Sequence, residues 1–267
     1  LRPERNEDSI FSDTEKNVYA VFDGVGGSTA GGLASELARQ YLAEHCHEFV
    51  GLSLKDTKGK MIEVLGGAHD EILQQSRKNI DWVGMGTTAS VVKIWENLPD
   101  EVGKEGQDTV VIGHLGDSRV YVLRGGKRLE QITIDDNEIF INERIKKGRK
   151  SARSLQKKLG DAVDQKSVAR QAGVSYVRNL INNYVGVSSP WIETYTTAIK
   201  QDDCILIMSD GVSDILTNRE IKEHFLKEGN SAENIMAAAK ERSKDRSHPR
   251  SKRDDKSIIV VKYIHKI

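Results

Sequence analysis

Acidic residues stand repeatedly where apolar runs end. Asp23 follows VYAVF (18–22), Asp117 closes VVIGHLG (110–116), Asp210 follows CILIMS (204–209), Asp254 lies three residues before SIIVV (257–261), and Glu7 and Asp8 precede SIF (9–11). A carboxylate at the end of a buried strand is costly to desolvate unless something compensates its charge. If several converge, a bound cation is the natural compensation, and an all-oxygen set with no nearby His or Cys favours Mg²⁺ or Mn²⁺ over zinc. Each acid alone has a plainer reading. Asp23-Gly24 and Asp210-Gly211 also suit Asp-Gly turns, GDSR (116–119) suits an Asx turn, and Asp254-Asp255 suits a solvated pair.

The stretch VFDGVGGSTAGG (21–32) holds five glycines and admits a rival chemistry, a phosphate-cradling loop at a helix N-terminus. A dinucleotide fingerprint of that kind needs a βαβ unit, whereas the surrounding runs read as hairpins.

The elements that must position these residues are legible as two kinds of periodicity. VYAVF (18–22), TTASVVKI (87–94), DTVVIGHLG (108–116), RVYVLR (119–124), DCILIM (203–208) and SIIVVKYI (257–264) read as strands. Arg119 to Thr133 reads as a hairpin, with Gly125-Gly126 supplying the positive-φ pair of a tight primed turn. Ser28 to Val50 reads as a helix with Leu33, Leu37 and Tyr41 on one stripe and Ala30, Ala34 and Ala38 beside it. Thr217-Asn218-Arg219-Glu220 is a capping box opening a helix that runs to about Lys227. Strands and helices are grouped rather than strictly alternating, which argues for layers and against a doubly wound parallel sheet.

The segment 137–186 is helical and strongly basic, with Arg144, Lys146, Lys147, Arg149, Lys150, Arg153, Lys157 and Lys158 close together, and reads as an insertion. A second basic stretch, KERSKDRSHPRSKR (240–253), precedes the last strand, and both read as solvated faces. The 267 residues carry 40 basic and 40 acidic side chains, so no global field points to nucleic acid or membrane. Cys46 and Cys204 have no paired spacing, which favours a reducing, cytoplasmic setting. There is neither an 18-residue apolar run nor a charged-then-apolar leader, although a first residue of Leu makes the second absence weaker evidence. One domain spanning 1–267 is expected.

Taken in order, RNEDS (5–9), VFDGVGGSTAG (21–31), GTTAS (86–90), GHLGDSRVYV (113–122), SDGVSD (209–214) and DDKSIIVV (254–261) resemble the motifs of the type 2C metal-dependent Ser/Thr protein phosphatases, in their bacterial-type form. The resemblance implies an α+β fold, a four-layer αββα sandwich of two antiparallel sheets flanked by helices, with the 137–186 insertion as a flap beside the site. It implies a phosphoprotein phosphatase that uses two Mn²⁺ or Mg²⁺ ions, with room for a third, and a metal-bridging water as nucleophile. Asp23 matches the bridging ligand and Gly24 the residue whose carbonyl binds one metal. Asp210 and Asp254 match the ligands of the other metal. Glu7 and Asp8 match the acidic pair that approaches directly or through water, and Asp117 and Asp214, with Asp210, match a third-metal position. The resemblance further implies a monomer acting on phosphoproteins, opposing a Ser/Thr kinase, with no membrane or nucleic-acid partner.

Three positions depart from the family pattern. The Arg that grips phosphate is expected four residues before Glu7, where this chain has Pro3; Arg2 is preferred for the role, with Arg5 as the alternative. Val25 stands where some relatives carry a His general acid, and Asp255 replaces a common Asn. Within the insertion, KSVARQAGVSYVRNLINNY (166–184) is similar to a DNA-binding helix-turn-helix, with its turn at Gly173. The plainer reading is two packed flap helices with Val168, Ala172, Val177 and Ile181 buried.

Overall fold

Alternation along the strands sorts the molecule into layers. The computed structural model describes residues 6–25, 30–96, 107–172 and 181–264. The order is β1 (Asp8–Asp13), β2 (Val18–Val25), α1 (Ala30–His45), α2 (Leu54–Ser76), β3 (Gly86–Thr87), β4 (Ala89–Trp95), β5 (Thr109–Leu115), β6 (Arg119–Arg124) and β7 (Arg128–Gln131). There follow α3 (Glu138–Lys147), α4 (Arg149–Asp161), α5 (Gln165–Gln171), β8 (Glu193–Ala198), β9 (Cys204–Met208), α6 (Asp210–Ser213), α7 (Asn218–Phe225), α8 (Ser231–Lys244) and β10 (Ile258–Lys262).

One sheet runs β1-β2-β4-β5-β8 with β3 paired to β2, the other β10-β9-β6-β7, and every pairing is antiparallel. The two-residue period of a strand sends alternate side chains to opposite faces. Tyr19, Val21, Val92 and Ile94 from the first sheet therefore meet Val120, Val122, Ile205 and Ile207 from the second in the central core. On the outer face of the first sheet, Val18, Ala20, Phe22 and Val91 pack with α1 and α2. On the outer face of the second, Tyr121, Leu123, Leu206 and Met208 pack with α7 and α8. The four layers expected from the sequence are present.

Several boundaries differ from the sequence expectation for identifiable reasons. β2 continues through Asp23 and Gly24 to Val25, because Gly24 and Val25 pair with Thr87 and Gly86. The run 87–94 is divided at Thr88, whose N–H turns to the Asp23 carbonyl instead of the ladder. α1 ends at His45 and a 3₁₀ turn, Cys46–Phe49, finishes the segment expected to stay helical to Val50. Its buried stripe is Ala30, Ala34, Ala38 and Leu42, while Leu33, Leu37 and Tyr41 are only partly buried, since small side chains let the helix lie close on β2. The hairpin turn has Gly125 at φ 50° and Gly126 at φ 68°, and the Thr217–Glu220 capping box opens α7, which ends at Phe225. β8, ETYTTA, was not foreseen: its polar residues carry only a weak alternation, and pairing with β5 makes it a strand.

The flap helices belong to the core rather than hanging from it. Ile139 and Phe140 of α3, Ala152, Leu155 and Leu159 of α4 and Ala169 of α5 join the central cluster. Arg250, fully buried, ties this flap to α6 and the turn that follows it. Its Nη1 donates to the carbonyls of Leu159 (3.2 Å) and Ala162 (2.7 Å), and its Nη2 to those of Ser213 (3.2 Å) and Leu216 (2.9 Å). The basic stretch 240–253 thus contains a core residue rather than only a solvated face. Among the described residues, no helix is long and apolar enough to cross a membrane.

Removing the Arg250 guanidinium takes a donor from four carbonyls, of which Ser213 keeps Arg119 and Leu159 keeps Gln165, and leaves a space in the core. Arg250→Met is expected to cost about 3 kcal/mol, roughly 6–12 °C in Tm for a chain of this size. Thermal unfolding followed by circular dichroism checks this; a loss below about 1 kcal/mol contradicts it.

Candidate metal centre

At one end of the sandwich the last residues of β2, β5 and β9 meet the first of β1. The β1–β2 register sets Asp8 opposite Asp23. The backbone at Asp23 is clamped on both sides. Its N–H donates to Thr88 Oγ1 (3.0 Å), and its carbonyl accepts from the Thr88 N–H (2.8 Å) and the Thr87 hydroxyl (3.0 Å). The next N–H, of Gly24, donates to the Glu7 carbonyl (3.1 Å). A Cβ at Gly24 would fall 2.4 Å from the carbonyl carbon of Gly31, so only glycine lets α1 start against the strand here.

The second sheet joins through Ser209. Its hydroxyl donates to Asp8 Oδ2 (2.9 Å) and accepts from the Ser257 N–H (3.0 Å), which links β1 to the ends of β9 and β10. α6 then begins at Asp210 with its Gly211 so close to the 254–255 loop that a Cβ would stand 1.7 Å from the Asp255 carbonyl oxygen. Asp255 Oδ2 in turn accepts from the Glu7 N–H (2.8 Å), so this residue fastens the N-terminal acidic pair to the loop that carries Asp254.

Burial first, and for Asp23, Asp117 and Asp210 the charges of neighbouring carboxylates, raise the proton affinity of the acids gathered here. Burial, and then the charges of Asp210, Asp8, Asp117 and Asp254, hold Asp23 well above the ordinary carboxylate range. Burial and the charge of Asp210 do the same to Asp117. Burial pushes Asp8 up to about 6. Burial also pushes Asp210 up to about 6, against the pull of Lys252. Among the described residues, Asp8 Oδ1, Asp117 Oδ1 and Asp210 Oδ1 are buried and find no hydrogen-bond donor. Orphaned hard oxygen donors of this kind suit a hard divalent cation in type.

One cation already stands among them. The Lys252 ammonium donates to Asp210 Oδ2 and lies 2.7 Å from Asp254 Oδ2, with its side chain 10% exposed. Among the described residues, no three His, Cys, Asp or Glu side chains form a group that could hold a metal ion as they stand. Sequence reasoning missed Lys252 by treating its basic stretch as solvated. The available signal was its place two residues before an acid expected at the site.

Asp214 is occupied differently. The Arg119 guanidinium donates to Asp214 Oδ1 (2.8 Å), to Asp135 Oδ2 (2.7 Å) and to the Ser213 carbonyl (2.9 Å). Asp135 also accepts from Gln156 of α4, so a buried polar chain runs from the flap to the acidic end of α6. Sequence reasoning gave Arg119, Asp135 and Gln156 no role. Glu7, Asp8, Asp23, Gly24, Asp117, Asp210, Asp214 and Asp254 all lie at this end of the sandwich, whereas Arg2 and Arg5 fall outside the described residues.

The basic flap is less free than its composition implies. Arg144 pairs with Asp136 (3.2 Å) and Glu193, Lys147 with Glu143 (3.3 Å), and Arg149 with Glu193 (3.2 Å). Arg149 and Arg153 lie over the Tyr195 ring at 5.8 Å and 5.7 Å. In the helix-turn-helix-like stretch, α5 has seven residues and Ala169 is buried, while Ala172, expected inside, is exposed. Val168 and Ile181 are partly buried, and Gly173 and Val177 lie outside the described residues.

This geometry can be set beside known proteins. The family model described as Protein phosphatase 2C matches residues 4–254. The chain belongs to the protein phosphatase 2C family. It is 25% identical to the serine/threonine phosphatase stp of Listeria innocua over 224 residues, covering 82% of this chain and 76% of that protein. The crystal structure of the Mycobacterium tuberculosis serine/threonine phosphatase PstP/Ppp superposes with a TM-score of 0.72 at 24% identity, covering 99% of this chain and 95% of that one. A structure of the catalytic domain of PstP in complex with two manganese ions gives a TM-score of 0.67 at 24% identity, over 97% of this chain and 92% of that one. The layered fold of this phosphatase 2C chain is thus that of its solved relatives.

The raised carboxylates make a signed prediction for this phosphatase 2C domain in chelating buffer. Asp8 and Asp210 are raised from 3.8 to about 6, so the folded state binds more protons than the unfolded state between those values. Their contribution is complete below about pH 4 and is lost as pH rises through about 6. Stability in EDTA is expected to fall on the order of 2 kcal/mol between pH 5 and 7, and Asp8→Asn to flatten the slope. Urea unfolding across that range checks it; stability that is level or rises contradicts it.

Proposed function

We propose that this chain removes phosphate from phosphoserine and phosphothreonine in proteins, in a reaction that requires Mn²⁺ or Mg²⁺. Membership of the phosphatase 2C family supports the reaction class. The observation that carries the site assignment is the convergence of Asp8, Asp23, Asp117 and Asp210, with raised proton affinities and orphaned oxygens, at one end of the two sheets.

The Asp23 carboxylate and the Gly24 carbonyl would help to hold the metal pair, with Asp23 matching the family's bridging ligand. Asp210 and Asp254 serve one of the two positions. Glu7 and Asp8 approach directly or through water, and Asp117 and Asp214 with Asp210 offer a third position. The relative solved with two manganese ions supports two as the working number. Held by these residues, divalent ions would lower the pKa of a water and neutralise phosphoryl charge.

The chain's own part is positioning. Thr87 and Thr88 fix the backbone of Asp23, and Ser209 holds Asp8 across the gap between sheets. Asp255 locks the N-terminal pair to the Asp254 loop. Arg2, or Arg5 in its place, grips the phosphate. Val25 can transfer no proton, so the leaving alkoxide takes its proton from water or from another group at the site. The expected setting is the cytoplasm, as a monomer opposing a Ser/Thr kinase, and the two buried free thiols, Cys46 and Cys204, support a reducing compartment.

Hydrolysis of p-nitrophenyl phosphate with added Mn²⁺ tests the assignment. Asp23→Asn is expected to lower kcat/KM by about 10³-fold or more, as losing the group that organises the electrophile does elsewhere. Full activity in excess EDTA, or in Asp23→Asn, contradicts the metal mechanism.

A further inference from the structure

Lys252 stands where the acids of the centre most need a cation. Its ammonium bridges Asp210 Oδ2 and Asp254 Oδ2, the carboxylates assigned above to one metal position. The stem is largely enclosed, so the ammonium is bound rather than lying over the site from solvent. The neighbouring basic groups do not duplicate it. Lys256 Nζ donates to the Asp254 backbone carbonyl (2.6 Å), and the Arg250 guanidinium is turned to the carbonyls of α4 and of residues 213 and 216.

We propose that Lys252 is a resident counter-cation of the centre, which holds Asp210 and Asp254 together in the metal-free protein and must swing away before a divalent ion binds that pair. The proposal rests on the reading of these acids as metal ligands. An ammonium and a divalent ion that share the same carboxylate oxygens would be like charges at contact distance in a poorly solvated site, so the two cannot be bound there together. Two consequences follow. The position served by Asp210 and Asp254 has weaker metal affinity than its donors alone would give, and the chain keeps its acidic end assembled without metal. Occupancy then responds to the free metal concentration instead of being permanent.

The test is calorimetric titration of Mn²⁺ into the chelator-stripped protein, with wild type, Lys252→Met, Lys252→Gln and Lys252→Arg compared. The Met and Gln variants both remove the charge, and Gln keeps a hydrogen-bond donor should Met fold poorly. Either is expected to bind Mn²⁺ about tenfold more tightly or better, to melt lower than wild type in EDTA, and to regain that loss when Mn²⁺ is added. Lys252→Arg, which keeps the charge, is expected to stay near wild type. If wild type binds Mn²⁺ and the charge-removing variants bind it no more tightly, the counter-cation role is wrong while the metal centre stands. If none of the four binds Mn²⁺, the metal reading fails and the Lys252 proposal with it.

Discussion

Mutual repulsion among carboxylates is the constraint that shapes this molecule. Asp8, Asp23, Asp117 and Asp210 come from four different segments and are brought to one end of two facing sheets, where burial removes the water that would screen them. Such a concentration of like charge is tolerable only with a compensating cation or with protons held above their ordinary pKa. The protein uses both. The carboxyls are raised, and the Lys252 ammonium stands between Asp210 and Asp254. The fold therefore keeps this acidic end under electrostatic tension that a divalent ion would relieve.

The rest of the architecture holds that tension in place. The central core fixes the angle between the sheets, and Ser209 carries it into the site by joining β9 to Asp8. Arg119 and Arg250 extend the support into the flap. The first binds Asp135 and Asp214 together, and the second ties the end of α4 to the segment after α6. Because α3, α4 and α5 also contribute apolar residues to the central cluster, movement of the flap would be felt at α6 through both polar links and packing. Buried charged networks of this sort are costly to break on one side, which suits a device that must hold geometry rather than add stability.

Much of this was legible in the sequence because two of its signals are strong. Apolar β-rich runs marked β2, β5, β6 and β9, and the acids at the ends of such runs include Asp23, Asp117 and Asp210, which the fold brings together at one end of the two sheets. The capping box at Thr217 and the Gly125-Gly126 turn were equally plain, since each rests on local chemistry. What was not legible depends on long-range partners. β8 became a strand only by pairing with β5, and nothing near residue 250 in sequence distinguishes a core arginine from a solvated one. Lys252 and Arg250 sit in one basic stretch, yet one faces the acids and the other faces carbonyls 34 to 91 residues away. Charge composition says how many cations a segment has, and only the fold says which are bound.

The central claim is that these carboxylates form one divalent-cation centre bridged by Asp23. Anomalous diffraction at the manganese edge from crystals soaked in Mn²⁺ tests it most directly. The account predicts two peaks, both coordinated by the Asp23 carboxylate, with the Lys252 side chain displaced from Asp210 and Asp254. No peak beside Asp23, or a peak on Asp210 and Asp254 with the Lys252 ammonium still paired to both, would contradict it.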